Sequence, residues 1–422
     1  MSFPKKYLFN GIEFEQFGDP LGAGAQGTAL KVRRSNNPNI LAVVKALPND
    51  AIIRERTRHI VDLGIGYHHP LISAPLAIQK DTQNLYYLTT FCAGVPIEQD
   101  IARPLPELLM IAYLMVCQWE RLEAQGLAHG DISLNNVLIS PDRSPHLIDT
   151  DNYVTTHSAI SRPLMLGQHP MMAPEIRKSQ SSNVPVLPNL NSDRFAWAVL
   201  LSYFLFGRHP ASWVQGGPKQ FDRVMSAGTW PEHKRKPKSG TPVRVLSAEL
   251  ITLFERGFSK DQRVRPAASE WKSTIRSAIQ SLHVHQCGGP FVHETTRKQC
   301  PWCRKKIPPL QLTQSSNSRF VLKATNLDST TSTEILLPDQ EFTYLGRNNL
   351  PDASAHVSAK HLELYRAGKT LYVRHIGRNP TQVGFGKTEL PSRLSSLSVE
   401  LGATRKENIQ LKIGDSKFSI EY

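Results

Sequence analysis

The stretch HGDISLNNVL at residues 129–138, followed by HLID at residues 146–149, decides the fold that we predict for this chain. It places a carboxylate at Asp131, an amide at Asn136 and a second carboxylate at Asp149. This spacing lets the first carboxylate face an attacking hydroxyl, while the amide oxygen and the second carboxylate hold Mg²⁺ against phosphates. The alternative is a turn stabilised by its own polar side chains, which needs no ligand.

A glycine-rich stretch upstream favours the phosphate interpretation. Residues 22–27 read GAGAQG, and the strand-like residues Val43, Val44 and Lys45 follow further on. Glycines at this spacing also occur in ordinary turns, so the motif alone is weak. Here, however, the loop lies between predicted strands, whereas a dinucleotide-binding loop leads from a strand into a helix. Pairing with nucleotide phosphates then explains a lysine on a buried strand.

Three later motifs follow in a familiar order: GQHPMMAPE at residues 167–175, SDRFAW at 192–197 and RVRP at 263–266. Together with the two stretches above, they make residues 10–282 resemble the eukaryotic-like, bacterial-type Ser/Thr protein kinases. The resemblance implies a bilobal α+β protein kinase fold. Strand-like segments before residue 105 and helical segments after it agree with that fold class. ATP and Mg²⁺ (or Mn²⁺) are the implied cofactors.

The resemblance assigns the nucleotide-binding residues by position. Gly22, Gly24 and Gly27 would cover the phosphates, and Lys45 would contact the α and β phosphates. Glu55, on the helix expected after residue 50, would pair with Lys45. Lys45 and Glu55 therefore count among the predicted catalytic residues.

The same resemblance assigns the catalytic loop. Asp131 would orient or deprotonate the acceptor hydroxyl, and Asn136 and Asp149 would bind the metal ion. Three more matching residues are expected to brace the fold and to take no part in catalysis: Glu175, Asp193 and Arg265.

The sequence departs from the kinase pattern at several positions. Gly130 replaces the arginine that usually anchors a phosphate on the activation segment, and Ser133 replaces a lysine at the γ-phosphate site. The usual Asp-Phe-Gly is Asp149-Thr150-Asp151. These departures leave open a catalytically weak pseudokinase scaffold. A small-molecule phosphotransferase also shares the His-Gly-Asp pattern, but it lacks the later motifs.

A Cys/His segment follows the kinase-like part. Cys287, His293, Cys300 and Cys303 offer three thiolates and an imidazole, the number of ligands in a structural zinc site. The neighbouring His283 and His285 are alternative ligands to His293. A redox pair at Cys300 and Cys303 is the other interpretation, and basic flanking residues make nucleic-acid binding a minor alternative.

The last part of the chain contains a third pattern. Arg347, Ser358, His361 and Asn379 fall in predicted loops between strands, where an arginine fork and a hydroxyl can bind a phosphate. The spacing makes residues 318–422 resemble the forkhead-associated (FHA) domain, which implies an all-β sandwich and a phosphothreonine ligand. By that resemblance Arg347 and Ser358 contact phosphate, His361 braces the loop and Asn379 contacts the peptide main chain. A β-sandwich with incidental polar loops is the alternative.

Composition sets broader limits. A chain of 422 residues suggests about three domains. With 40% hydrophobic and 20% charged residues it is neither a disordered polyelectrolyte nor a membrane bundle. The longest apolar run, residues 196–206, is short of the roughly 20 residues that cross a bilayer, so we expect a cytoplasmic protein with no membrane partner. A formal charge of +14 favours phosphate-bearing partners.

These observations predict a multidomain chain: a kinase domain at 1–283, a zinc ribbon at 284–308, a linker at 309–317 and an FHA domain at 318–422. The predicted activity is ATP-dependent phosphorylation of serine or threonine in protein substrates. The FHA domain would recruit phosphothreonine-containing proteins or the chain's own phosphorylated residues, with Thr155, Thr156 and Ser158 as candidates. The combination resembles bacterial operon-encoded kinases that work with a metal-dependent phosphatase, which is the other expected partner.

Overall fold

A six-stranded antiparallel sheet forms the N-terminal part of the computed structural model. Apolar side chains on one face of it, among them Tyr7, Leu30 and Val44, make a core of their own. The spatial order is β1-β2-β3-β4-β6-β5. The strands are β1 (Lys6–Phe9), β2 (Ile12–Gly24), β3 (Gly27–Arg34), β4 (Asn37–Pro48), β5 (Ala77–Lys80) and β6 (Asn84–Thr90).

Two helices lie between β4 and β5 along the chain: α1 (Ala51–Asp62) and α2 (Ile65–His68). Helix α1 begins after Asp50, whose side chain accepts hydrogen bonds from the backbone N–H groups of Ile52 and Ile53. Its buried residues recur at helical spacing and define one inward face: Ile53, Arg56, Thr57 and Ile60.

Helices dominate the chain between residues 105 and 280, so the predicted order of strands first and helices afterwards is confirmed. Helices α3 and α5 are buried over most of their circumference because they are apolar nearly all round. The helices are α3 (Leu105–Ala124), α4 (Pro174–Gln180), α5 (Leu190–Phe206), α6 (Gly217–Met225), α7 (Pro231–Lys234), α8 (Ala248–Gly257) and α9 (Ala268–Gln280). Short strands lie among them: β7 (Val95–Pro96), β8 (Leu127–Ala128), β9 (Val137–Ile139), β10 (Pro145–Leu147) and β11 (Val154–Thr155).

The longest apolar run of the sequence is core. Residues 196–206 belong to α5, where Trp197 stacks on Trp119 of α3 with ring centroids 5.4 Å apart. Among the residues that the structure describes, no helix is both long and apolar enough to span a bilayer.

The three residues expected to brace the fold make buried polar contacts. The Arg265 guanidinium, with no exposed side-chain surface, binds the Glu175 carboxylate through two hydrogen bonds of 2.7 and 2.8 Å. Asp193, near the start of α5, accepts hydrogen bonds from the backbone N–H groups of His129 (2.5 Å) and Gly130 (3.1 Å). Helix α5 therefore holds the loop that carries Asp131.

The structure describes residues 3–24, 27–69, 71–100, 103–141, 143–155, 168–180, 186–234, 241–307, 320–338, 342–367, 370–379, 381–385, 392–394, 396–400, 408–413 and 415–421. It divides into two compact units, one built mainly from residues up to 295 and one mainly from residue 304 onward. The division falls inside the Cys/His segment, which contains the hairpin of β12 (Leu282–Val284) and β13 (Pro290–Val292). The predicted linker at 309–317 lies outside the described residues, as do Thr156 and Ser158.

The second unit consists of two antiparallel sheets that share one apolar core, so its all-β character follows the sequence expectation. Alternating burial along β22 shows how one face of a strand enters that core. The larger sheet has the order β15-β14-β23-β22-β19-β20 and the smaller β16-β17-β18-β21. The strands are β14 (Phe320–Asn326), β15 (Ser332–Leu337), β16 (Phe342–Leu345), β17 (Leu362–Ala367), β18 (Thr370–His375), β19 (Thr381–Phe385), β20 (Ser392–Leu394), β21 (Ser396–Glu400), β22 (Ile409–Ile413) and β23 (Ser416–Glu421).

Candidate active site

The glycine-rich stretch lies at the turn of the β2–β3 hairpin. Gly22 and Gly24 are on the end of β2, Gly27 opens β3, and residues 25–26 between them lie outside the described part. A methyl group added to Gly22 would meet no atom within 4 Å, whereas one added to Gly27 would lie 2.1 Å from the Ala46 carbonyl oxygen. Gly22 therefore borders open space, and Gly27 is required by the close approach of β4.

Lys45 extends from β4 into a cluster of carboxylates. It is 91% buried overall, contacts the Asp149 carboxylate, and lies 2.8 Å from Oδ2 of Asp151. Burial alone would lower the pKa of Lys45, but the charges of Asp151 and Asp149 outweigh burial and raise it. The ammonium is therefore permanently charged near neutral pH.

Asp149 has a backbone conformation that non-glycine residues rarely adopt. Its φ of 61° and ψ of 51° lie in the left-handed region, and its side chain is 33% exposed. Burial would raise the pKa of Asp149, but the neighbouring Lys45 ammonium holds it below the usual value. The carboxylate is thus ionised and accessible, as a metal ligand must be.

The catalytic loop brings Asp131 and Asn136 together. The Asn136 side-chain nitrogen donates to the Asp131 backbone oxygen at 2.7 Å and to Asp131 Oδ2 at 3.1 Å, which leaves the Asn136 amide oxygen as an acceptor for a cation. Burial raises the pKa of Asp131 to about 6. Its other oxygen, Oδ1, is buried and has no hydrogen-bond partner among the described residues. A polar atom in that condition calls for a ligand.

Neighbouring residues explain the shape of this loop. The His129 ring is fully buried and lies 3.0 Å from the Ile148 carbonyl oxygen through Nε2; burial lowers its pKa to about 4. Gly130 has a φ of 75°, and a methyl group there would come within 2.9 Å of the Asn152 side chain. The glycine found where kinases carry an arginine is therefore enforced by local packing.

The predicted pairing of Glu55 with Lys45 is wrong. Glu55 is exposed on the outer side of α1, while the next residue, Arg56, points inward and donates from Nη1 to the Asp151 backbone oxygen at 3.3 Å. Helical spacing from Ile53 to Ile60 puts position 56 on the buried face and position 55 off it, so the periodicity of α1 could have shown this.

The donor set fits a magnesium-bound nucleotide. An ammonium on β4, an accessible carboxylate, an amide oxygen and an open glycine turn occur in one unit, together with an orphaned oxygen on Asp131. Comparison with known proteins agrees: a sequence model described as "Protein kinase domain" matches residues 16–275, more than half of the chain.

The chain belongs to the protein kinase domain family.

Curated relatives of this kinase domain include serine/threonine-protein kinase ULK3 of Xenopus laevis, 26% identical over 201 residues, or 46% of this chain and 42% of the relative. The protein of the same name from Homo sapiens is 24% identical over 199 residues, 45% of this chain and 41% of the relative. The one from Mus musculus is 24% identical over 201 residues, with 45% and 41% covered. The match thus spans about two fifths of the length of each relative.

The Cys/His segment that follows the kinase domain forms a cluster, but not with the predicted histidine. The ligand atoms of His285, Cys287, Cys300 and Cys303 all lie within 4.8 Å of one another, and His285 Nδ1 is 3.4 Å from the sulfurs of Cys287 and Cys303. His293 is not part of the cluster. Its ring lies against His283 and Phe291 at centroid distances of 6.0 and 6.4 Å. His285 takes the place of the predicted ligand His293 because the β12–β13 hairpin turns position 285 toward the cysteines.

In the second unit, the four predicted phosphopeptide residues lie on connected loops. The Arg347 backbone N–H donates to the Ser358 carbonyl oxygen at 2.9 Å, and its side chain is exposed. Ser358 N–H donates to His361 Nδ1 at 3.0 Å, while Ser358 Oγ accepts from the Arg378 backbone N–H at 3.1 Å. The Asn379 amide nitrogen donates to the His356 carbonyl oxygen at 2.7 Å.

His361 is the buried centre of these loops. Its Nε2 lies 3.0 Å from Thr381 Oγ1, and its carbonyl oxygen accepts from the backbone N–H groups of Ile376 and Gly377. Lys360, next to it, places its ammonium 4.3 Å from the centre of the Tyr344 ring. The ring and the backbone of His361 together thus link the loops that carry Ser358 and Asn379, and Ser358 in turn holds the Arg347 backbone.

The two glycines of the hairpin give a matched stability prediction. Replacing Gly27 with alanine pushes the β-carbon into the Ala46 carbonyl oxygen, so the free energy of unfolding is expected to fall by about 1–3 kcal/mol. Gly22→Ala is expected to unfold like the parent. Thermal unfolding monitored by circular dichroism without nucleotide measures both. Equal midpoints for the two variants would contradict the packing described here.

Proposed function

We propose that the chain is an ATP-dependent protein serine/threonine kinase in which Asp131 receives the proton of the acceptor hydroxyl. The observation that supports this best is the buried Oδ1 of Asp131, which lies next to the amide of Asn136 and has no hydrogen-bond partner in the described part of the chain. A base with a pKa of about 6 is ionised at neutral pH and still basic enough to take a proton. The names of the relatives agree with protein as the acceptor.

The other residues divide the remaining tasks. Asn136 orients the Asp131 carboxylate by hydrogen bonding, Lys45 supplies a fixed positive charge for phosphate oxygens, and Asp149 with the Asn136 amide oxygen would hold Mg²⁺. ATP would supply the transferable phosphoryl group, and the metal ion would neutralise its charge. Asp193 keeps the loop in place through two backbone hydrogen bonds.

Asp131→Asn tests this activity. We expect transfer of labelled γ-phosphate to protein to fall by ~10²- to 10⁴-fold, because the amide cannot accept the proton. Asp62→Asn, an exposed carboxyl on α1, is the control and should match the parent. Since only ionised Asp131 is active, parental activity should fall as the pH drops through about 6. Label that persists in the Asp131 variant refutes the mechanism, and a parent without transfer favours the scaffold alternative.

We also propose that the second unit is an FHA phosphothreonine-binding domain. Its exposed Arg347 and the adjacent Ser358 stand on loops tied to buried His361, so a phosphate would meet a guanidinium and a hydroxyl whose backbones are held in place. Asn379 commits one N–H to the protein and keeps its other N–H and its oxygen for a peptide main chain. The FHA domain would recruit threonine-phosphorylated proteins to the kinase domain. Because the two domains are tethered, recruitment would raise the effective concentration of these proteins at the kinase.

One of the three candidate residues for self-recognition is buried. Thr155 is buried on β11, so its hydroxyl is inaccessible in this conformation. Thr156 and Ser158 lie outside the described residues, so phosphorylated residues of separate proteins and of this chain both stay proposed ligands of the FHA domain. A metal-dependent phosphatase that reverses their modification is a further proposed partner.

Peptide binding tests the proposed FHA domain. A phosphothreonine peptide should bind at least about tenfold more tightly than its unphosphorylated twin, because a charge-assisted hydrogen bond contributes ~1.5–3 kcal/mol. Arg347→Ala should remove that difference. Lys323→Ala, which deletes an equal charge from the exposed side of β14, should keep it. Fluorescence anisotropy with phosphothreonine, phosphoserine and plain peptides provides the measurement, and equal affinity for all three would rule out the proposal.

We propose in addition that His285, Cys287, Cys300 and Cys303 bind a structural zinc ion. Three sulfurs and one imidazole nitrogen converge within 4.8 Å, close to the ligand spacing of a tetrahedral site, and four protein ligands leave no position for water. The site would therefore stabilise this segment and would not take part in catalysis.

Two histidine variants test the zinc site against the alternative ligand. His285→Ala should lower the zinc content well below one ion per chain, whereas His293→Ala should leave it unchanged. Elemental analysis of the full chain after gel filtration gives the stoichiometry. Zinc loss in the His293 variant alone would restore the ligand set expected from the sequence. Parental protein free of zinc would disprove the site altogether.

A further inference from the structure

Helix α1 carries an arginine on the face where a protein kinase normally presents a glutamate to the nucleotide-binding lysine. Arg56 is 2% exposed and lies among Ile53, Thr57 and Ile60 on the inward face of the helix. A buried guanidinium requires a counter-charge, because its desolvation is otherwise uncompensated. The glutamate on this helix, Glu55, is exposed and supplies none.

Asp151 is the residue that meets this buried face. Its backbone oxygen accepts a hydrogen bond from Arg56 Nη1 at 3.3 Å, and its carboxylate Oδ2 lies 2.8 Å from Lys45 Nζ. The Asp151 side chain has no exposed surface. A continuous line of contacts thus runs from β4 through Lys45 and Asp151 to Arg56 on α1.

The two carboxylates around Lys45 differ in accessibility. Asp149 is one-third exposed, so it can reach a ligand, whereas Asp151 is enclosed and can serve only the protein interior. Formal charges also balance: Lys45 and Arg56 carry two positive charges, and Asp149 and Asp151 carry two negative ones. The arginine on α1 and the second aspartate after Asp149 are therefore complementary in charge.

The short loop between the two aspartates is held from a third side. The Thr150 hydroxyl donates to the Ser73 carbonyl oxygen at 3.1 Å, and Thr150 itself is fully buried. With Lys45 on one side and Arg56 on the other, the loop that carries Asp149 is fixed at every residue from 149 to 151.

We propose that Asp151 is the positioning residue for Lys45, in place of a helix glutamate, and that Arg56 couples helix α1 to this pair. The proposal rests on the proposed kinase function. It reverses the charge of the contact between α1 and the nucleotide site: the helix contributes the cation, and the metal-binding loop contributes the anion. Movement of α1 would then act on Lys45 through Asp151.

Nucleotide binding and phosphotransfer by the full chain test this arrangement. Asp151→Asn should weaken binding of a fluorescent ATP analogue at least about tenfold, both with Mg²⁺ and in EDTA, because Lys45 loses its permanent partner. Arg56→Met should weaken it by a smaller but measurable factor. Two matched variants on the same helix, Arg58→Met and Glu55→Gln, should bind and transfer like the parent, because both side chains are exposed.

A rescue variant separates a positioning role from a merely structural one. Arg56→Glu combined with Asp151→Asn returns a carboxylate to the inward face of α1, and it should recover part of the nucleotide affinity that Asp151→Asn loses. Thermal unfolding of every variant without nucleotide identifies those that fail to fold. Should Asp151→Asn not fold alone, nucleotide binding by the double variant at the parental level or within threefold of it supports the proposal, and no binding by it counts against the proposal.

The outcomes distinguish this proposal from the kinase activity itself. Loss of nucleotide binding in Glu55→Gln with retention in Asp151→Asn overturns the assignment. A parent that transfers no phosphate but shows the expected order of nucleotide affinities refutes the kinase activity and supports the Asp151 assignment.

Discussion

A single buried carboxylate, Asp193, organises the catalytic loop. Its carboxylate accepts hydrogen bonds from the backbone N–H groups of His129 and Gly130. Burial raises the pKa of Asp193 to about 7. Those two hydrogen bonds satisfy backbone donors that would otherwise be buried without partners. They fix the chain on the residues just before Asp131, so the positions of Asp131 and, five residues later, Asn136 follow from them.

A second constraint acts on charge. Lys45 of β4 contacts the carboxylates of Asp149 and Asp151, and Arg56 of α1 donates to the Asp151 backbone oxygen, so two cations and two anions lie close together. Low-dielectric surroundings make an unpaired charge expensive, so these pairings stabilise the arrangement. The departure from Asp-Phe-Gly to Asp149-Thr150-Asp151 thus becomes one part of a consistent arrangement that includes Arg56. The departure at Gly130 has a packing reason, because Asn152 leaves no room for a side chain there.

In the second unit a buried imidazole, that of His361, has the role that Asp193 has in the kinase domain: it holds the loops that carry the predicted site residues. His361 is fully buried, and its ring nitrogens and backbone bind the loops that carry Ser358, Thr381 and Gly377. Arg347 and Asn379 remain at the surface of loops held from beneath. A rigid scaffold with polar tips is what recognition of a small charged group requires. In the Cys/His segment, the ligand atoms come instead from two turns, one with His285 and Cys287 and one with Cys300 and Cys303.

The sequence alone determined the kinase fold and the order of its elements, because spacing within the stretches at 129–138, 146–149 and 263–266 reflects local geometry. It also predicted Lys45, Asp131, Asn136 and Asp149 as site residues, because these residue types have few other uses at those spacings. Tertiary structure decided the partners. Glu55 and Arg56 are neighbours in sequence, and His285 and His293 both flank the same hairpin; only the direction in which α1 and the hairpin present each side chain selects one of each pair. For α1 the spacing of the buried residues from Ile53 to Ile60 already indicates which position faces inward, whereas the choice between the two histidines depends on contacts with cysteines further along the chain, which no single stretch of sequence contains.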